Sequence, residues 1–283
     1  MHPSGQCLQM LHPDRMSTPT IRAISSRDNP QYKQLRQIAS SAQARKKNDQ
    51  TLLDGVHLCE AWLEHKGSPL YCVVSESAQT HAEVKPILDT CMSLGCTVLV
   101  LPDSLFAPLS QVENGIDLLF LIETPQASVH PDLRGAAVLL DGVQDPGNLG
   151  SILRTAAAAG IPRVYCGTST VSAWSPKVLR AGMGAHFVLD VVENINLPAL
   201  IAAAKVPVFA TSSHTPYSLY EQDLKMPCAW LFGNEGRGVS EALLDLCTRR
   251  LAIPQEAAVE SLNVAASAAI CLFEQRRQQG FAI

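Results

Sequence analysis

The residues Leu139-Leu-Asp-Gly-Val-Gln-Asp-Pro-Gly-Asn-Leu-Gly-Ser-Ile-Leu-Arg154 carry a strand end, a loop and a helix start in immediate succession. The apolar run 136–140 reads as a buried strand. Gly142, Pro146 and Gly147 then interrupt regular structure, and Asn148 stands where it would cap a helix over 148–159, closed by Gly160. This order is the building unit of a parallel α/β sheet, in which ligands bind outside the carboxyl ends of the strands. Taken by itself, Asn148 reads as an N-cap. Arg154, roughly two turns into the helix, reads as a surface charge.

The alternation continues in both directions. Downstream, strands are predicted over 163–166, 187–190, 206–210, 228–232 and 250–253, with helices over 176–181, 197–204, 240–246 and 262–278. These strands are runs of Val, Ile and Leu with little polar alternation, as in a parallel sheet covered on both faces. Upstream, helices over 31–47, 56–65 and 81–92 alternate with strands over 51–54, 70–74, 96–101 and 116–122, forming a smaller α/β unit. The polar, Pro-bearing stretch 124–134 is the linker candidate. The expected organisation is a disordered leader over 1–20, an α/β substrate-binding domain over 21–123, the linker over 124–134 and a second α/β domain over 135–283.

Hydrophobic residues make up 47% of the chain and charged residues 17%, enough apolar surface for two packed units. No apolar run approaches the roughly 20 residues that span a bilayer. Residues 1–20 lack the apolar stretch of a secretory signal. The nine cysteines form no C-x-x-C pair and read as buried free thiols of a cytoplasmic protein. The eight histidines have no ligand spacing, so no metal is expected. Net charge is −4, but Arg22, Arg27, Lys33, Arg36, Arg45, Lys46 and Lys47 share a stretch whose only acid is Asp28. Such a stretch is either a footprint for phosphates or a solvated helix face.

Two further strand ends stand out. Trp230-Leu-Phe-Gly-Asn-Glu-Gly-Arg-Gly-Val239 is a Gly-rich turn around Glu235, in which Gly233, Gly236 and Gly238 allow close backbone approach. It has neither the G-x-G-x-x-G spacing of a dinucleotide site nor a P-loop lysine. Leu251-Ala-Ile-Pro-Gln-Glu-Ala-Ala-Val-Glu-Ser-Leu-Asn263 leads into an Ala-rich helix, with Ser261 and Asn263 flanking its start. Alone, the second is a glycine turn with one acid and the third an ordinary capped helix.

Together, in this order and spacing, the three segments resemble the signature motifs of the SpoU/TrmH branch of the SPOUT methyltransferases. The resemblance runs from Ala136 to the C-terminus. The basic first half, from Ile24-Ser-Ser-Arg-Asp-Asn-Pro30 through Leu52-Leu-Asp-Gly-Val-His57, resembles the substrate-binding domain many members carry in front. It implies an S-adenosylmethionine-dependent RNA ribose 2′-O-methyltransferase, whose C-terminal domain is a parallel α/β sheet tied in a deep trefoil knot. It also implies a homodimer formed through the knotted domain, with the small-residue final helix as a dimer element. Carried over by position, the site residues are Asn148, Arg154, Glu235, Ser261 and Asn263. Gly233, Ile253 and Leu262 line the cofactor pocket, with Thr211 a further candidate. Arg27, Lys33, Arg36, Arg45, Lys46 and Lys47 would contact RNA.

Where the family has Met and Gly after Ile-Pro, this chain has Gln255 and Ala257. The first motif's asparagine and arginine favour ribose over base methylation. Arginine stays protonated, so Arg154 is expected to clamp a phosphate and stabilise alkoxide charge rather than act as a base. Ribosomal RNA is the expected substrate. A transfer-RNA methyltransferase and an inactive RNA-binding or ribosome-assembly protein of the same fold are the alternatives. A nucleotide-dependent oxidoreductase is disfavoured by the missing fingerprint.

Overall fold

A computed structural model describes residues 20–112, 115–127, 133–256, 258 and 261–280. The chain forms two sheets. The first joins β1 (Ile21–Ala23), β2 (Gln50–Asp54), β3 (Tyr71–Ser75), β4 (Thr97–Leu101) and β5 (Leu118–Glu123) in the order β1-β4-β3-β5-β2. Around it lie α1 (Pro30–Ser40), α2 (Ala42–Asn48), α3 (Val56–His65), α4 (Val84–Ser93) and the short α5 (Asp103–Phe106). β1, β4 and β3 are parallel, whereas β5 runs antiparallel to both β3 and β2. β5 is buried on both faces like its parallel neighbours, so its apolar run does not disclose its direction, and β1 is a three-residue exposed edge strand too short to show a period.

The second sheet contains β6 (Ala137–Asp141), β7 (Arg163–Gly167), β8 (Asp190–Ile195), β9 (Val208–Thr211), β10 (Ala229–Gly233) and β11 (Arg249–Leu251). Its order is β11-β9-β10-β6-β7-β8 and every pairing is parallel. The helices are α6 (Pro146–Ala158), α7 (Pro176–Gly182), α8 (Leu197–Ala202), α9 (Glu241–Leu244) and α10 (Val264–Gln279). Side-chain alternation divides the sheet cleanly. Val138, Leu140, Val164, Trp230 and Phe232 pack towards Ile152, Leu153, Val178 and Leu272 of α6, α7 and α10. Ala137, Leu139, Tyr165 and Leu231 pack towards Leu200, Ile201 and Leu243 of α8 and α9. Burial on both faces is why these strands read as continuous apolar runs.

Three local expectations are corrected. The helix predicted over 31–47 breaks at Ser41, which is extended and caps α2 by accepting from Ala44 N at 3.2 Å. Ser40 meanwhile donates back to Arg36 O at 2.8 Å, so consecutive hydroxyls compete with the helical ladder. The helix placed at Asn148 begins two residues earlier, because Pro146 suits the first helical position and Asp145 accepts from Asn148 N at 2.8 Å. The strand predicted over 187–190 begins only at Asp190. Met183 and Gly184 adopt left-handed conformations that end α7, and a 3₁₀ turn at Ala185–Phe187 follows.

The two sheets share one hydrophobic core despite the aperiodic stretch between them. The core runs from Leu53, Cys59, Trp62 and Phe120 of the first unit into Trp174, Val178 and Phe187 of the second. Trp62 meets Phe187 edge-on, with ring centroids 5.3 Å apart. The buried Thr51 hydroxyl donates to Trp174 O at 2.9 Å. The expected leader falls outside the described residues except for Thr20, as do 128–132 of the expected linker and Ala257. All eight described cysteines are free, and only Cys247 is partly exposed. No helix among the described residues is long and apolar enough to cross a membrane.

The α6–α7 crossing is the tightest helix contact beneath the site. A Cβ on Gly150 would lie 2.4 Å from Ala181 Cβ and 2.8 Å from Val178 O. Gly150→Ala should therefore destabilise the protein by about 1–3 kcal/mol through overpacking, read as a lowered melting temperature in circular dichroism.

Candidate functional site

Because the second sheet is wholly parallel, the carboxyl ends of β6, β9, β10 and β11 open on the same edge. β6 sits where the strand order reverses, with β10 on one side and β7 on the other. Such a switch point is where open α/β sheets place ligands. The loop after β10 is a tight hairpin: Asn234 and Gly238 exchange backbone hydrogen bonds at 3.0 and 2.9 Å. It closes only because position 233 is glycine, since a Cβ there would lie 2.0 Å from Gly238 C.

The hairpin docks on the loop after β6 through a network of hydrogen bonds. Glu235 Oε1 accepts from Asp145 N at 3.0 Å and Asn148 Nδ2 at 3.1 Å. Its Oε2 accepts from Gln144 N at 3.1 Å and Asn234 Nδ2 at 3.4 Å. Asn148 Oδ1 in turn accepts from Asn263 Nδ2 at 2.9 Å. Asn263 caps α10, its own Oδ1 accepting from Ala265 N and Ala266 N at 2.9 and 3.2 Å. The three strand-end loops singled out in the sequence are thus joined by the continuous chain Asn263–Asn148–Glu235. Burial pushes the Glu235 carboxyl up, but the hydrogen bonds from Asn148, Asp145, its own backbone N–H and Gln144 outweigh it and hold the pKa below the usual glutamate range.

Beside this network lies a cavity of about 600 Å³. Thr211, Gly233, Glu235, Ile253, Ser261, Leu262 and Asn263, all singled out in the sequence, line it, and so does Gln255. At its rim Arg250 pairs with Asp245 at 2.8 Å and with Glu241 at 3.3 Å. Arg154 does not line this cavity. It is exposed on α6, and among the described residues its guanidinium has no hydrogen-bond or ion-pair partner. No cluster of three His, Cys, Asp or Glu side chains among the described residues is placed to hold a metal.

The basic stretch is less uniform than its sequence. Lys33 pairs with Asp28 at 2.9 Å. Arg45 turns inward, its Nη1 donating to Ile38 O at 2.8 Å and Ala39 O at 3.4 Å, so much of its guanidinium caps the end of α1. Arg27, Arg36, Lys46 and Lys47 remain exposed.

Two parts of the site were missed in the sequence. Asn234 accepts from Gly236 N and Arg237 N at 3.0 and 3.1 Å while donating to Gly142 O at 2.8 Å, so it shapes the hairpin and docks it. An Asn opening a Gly-rich turn is a recognisable signal for such Asx geometry. Ser213, His214 and Arg237 also line the cavity, a placement only strand order reveals.

Comparison with known proteins agrees with this architecture. Residues 135–273 match the SpoU rRNA methylase family. An uncharacterised tRNA/rRNA methyltransferase of Synechocystis is 35% identical, over 93% of this chain and 96% of its own length. The chain belongs to the SpoU methylase family. A 23S rRNA (guanosine-2′-O)-methyltransferase of Bacillus subtilis is 30% identical over 90% of this chain and its whole length. The AdoMet-bound crystal structure of an rRNA methyltransferase from Sinorhizobium meliloti superposes with a TM-score of 0.79 at 27% identity, covering 91% of this chain and 98% of the other. The six-stranded unit is the knotted domain of this family. Ala252 bridges to Ser218, and the chain then returns from edge strand β11 to the middle of the sheet, where α10 packs on β10 and α6.

Glu235 has a depressed pKa, so its ionised form favours the folded state. That contribution is complete above its ordinary value of 4.5 and is lost as pH falls through the lower folded value. Glu235→Gln turns an amide N–H₂ towards existing donors and should cost about 1 kcal/mol at pH 7. The gap between wild type and variant in urea unfolding should narrow below pH 4.5; a gap that stays constant with pH would contradict this role.

Proposed function

We propose that this protein transfers the methyl group of S-adenosylmethionine to a ribose 2′-hydroxyl of ribosomal RNA. One observation carries the reading: the Asn263–Asn148–Glu235 chain locks three loops around a cavity at the switch point of a parallel sheet. The named activities of the Bacillus subtilis relative and the AdoMet-bound Sinorhizobium meliloti neighbour support it.

The residues present fit this cofactor. A cavity of about 600 Å³ is within the range of roughly 300–1,000 Å³ typical of small-molecule sites. Leu244, Ile253 and Leu262 offer apolar wall, while Thr211, Ser261 and Arg237 offer polar groups. When bound, the cofactor supplies a methyl group already activated by its sulfonium, leaving alignment and stabilisation of the attacking oxygen to the protein. Arg154 holds an RNA phosphate beside the target ribose and stabilises negative charge developing on the oxygen; a guanidinium with a pKa above about 12 does not serve as base. Both oxygens of Glu235 are engaged by N–H donors, so its part is positioning: it keeps Asn148 and the loop after β6 in place. Asn263 does the same for the start of α10.

The first unit supplies RNA affinity through Arg27, Arg36, Lys46 and Lys47, which contact backbone phosphates. The working form is a homodimer paired through the knotted domain, a reading supported by the exposed Phe273 on α10 and by the position of Arg154 outside its own chain's cavity. Buried free thiols suit a cytoplasmic setting.

The test uses radiolabelled S-adenosylmethionine with ribosomal or transfer RNA from a strain lacking this protein. The expected product is 2′-O-methylnucleoside in ribosomal RNA. Label only in transfer RNA would move the substrate, and no label together with no thermal shift from the cofactor would indicate an inactive RNA-binding protein. Arg154→Lys should lose on the order of 100-fold in turnover with cofactor affinity unchanged; near-normal turnover would refute the planar clamp. RNA affinity should fall with rising salt, with a log–log slope of about −3 for four phosphate contacts.

A further inference from the structure

A second cavity, of about 410 Å³, lies between the two sheets. One wall is α2 and the start of β2, with Lys46 exposed at its mouth and Arg45 held against the carbonyls of α1. The opposite wall is the loop after β7 and the end of β8, with Thr170, Glu193 and Asn194. Four properties mark it as a site rather than a packing defect.

First, its lining is polar and differentiated. Arg45, Lys46 and Asp49 line one wall, and Glu193 and Asn194 line the other. Second, Glu193 is oriented by the fold: its Oε1 accepts from Ala173 N at 2.7 Å, holding the carboxylate in place along the wall. Third, Asn194, exposed beside Glu193 where the β7–β8 register shifts, adopts the left-handed conformation that asparagine tolerates and lines the same wall. Fourth, the groove wall is mechanically part of the first catalytic loop. Thr170 Oγ1 donates to Leu140 O at 3.0 Å and accepts from Gly142 N at 3.3 Å, while the neighbouring Ser169 O accepts from the Gln144 side chain. Thr170 and Ser169 therefore brace the loop that carries Gln144 and Asp145.

Proteins read RNA sequence mainly on unpaired nucleotides, through hydrogen bonds to base edges, with cations on the phosphates. We propose that this groove binds one unpaired nucleotide of the substrate RNA flanking the methylated one, with Lys46 on its phosphate and Glu193 and Asn194 on the edge of its base. A carboxylate accepts, so Glu193 meets an N–H donor on the edge of the base. The groove then contributes sequence preference, and the exposed cations of α1 and α2 contribute affinity. This inference rests on the RNA-methylation reading above.

The experiment is ultraviolet cross-linking of the full-length protein to ribosomal RNA from a strain lacking it, with adducts mapped by mass spectrometry. Methylation of the same RNA is measured in parallel. Nucleotide adducts are expected on peptides spanning 42–51 and 168–174 or 190–196. In the variant Glu193→Gln these adducts should fall, and KM for RNA should rise on the order of tenfold, the size of one base contact. The affinity for S-adenosylmethionine, measured separately, should stay within about twofold, because Glu193 does not line the cofactor cavity. Methylation that proceeds with no groove adducts, or with KM unchanged in the variant, overturns the proposal and leaves the methyltransferase reading standing. Absence of both methylation and any RNA adduct overturns the two together.

Discussion

The carboxylate of Glu235 accepts hydrogen bonds from two backbone N–H groups and the Asn148 side chain, and the site's geometry depends on that convergence. The donors come from the loop after β6, while the acceptor sits on the hairpin after β10. Without the carboxylate, Gln144 N and Asp145 N would lose their partner and the two strand-end loops their direct tie. Asn148 then passes the constraint to Asn263, whose own oxygen caps α10. A helix start, a glycine hairpin and an irregular loop, each ordinary alone, become one rigid frame because one ionised group prefers several N–H donors to water.

The second organising feature is the core shared by the two sheets. Trp62 against Phe187 and Thr51 on Trp174 O fix the smaller unit on α7 and the turn that follows it. That attachment sets α2 opposite the loop after β7, which is itself braced on the end of β6 and the loop that follows it. The first unit is therefore held at a fixed position relative to the site loops, not tethered loosely to them. The same packing explains why Arg45 differs from its neighbours: at the junction of α1 and α2 its guanidinium is worth more on unsatisfied carbonyls than in solvent.

Charge is distributed according to task. Glu235 is committed to structure, Arg250 is neutralised by Glu241 and Asp245, and the guanidinium groups of Arg154 and Arg237 have no hydrogen-bond or ion-pair partner among the described residues. Unpaired guanidinium groups near a site suit an anionic substrate, because an arginine already spent on a carboxylate has little left for a phosphate.

The parallel sheet, its covered faces and most helices were legible in the residues themselves, because burial on both faces leaves Val-, Leu- and Ile-rich runs and helices leave a 3.6-residue period. So were the site loops: Gly233, Glu235, Asn148 and Asn263 stand at strand ends, where an α/β sheet places ligands, and their joint pattern pointed to the family. The sequence could not show that Asn148 serves Glu235 rather than capping its helix, since Asp145 takes that task only once Pro146 sets the helix start. Nor could it show that Arg45 turns inward, that β5 runs against its neighbours, or that the two units share a core with a groove between them. Periodicity records what one segment buries. Which segments then meet, and which donors find which acceptors, is decided by tertiary packing, because those contacts join residues tens of positions apart.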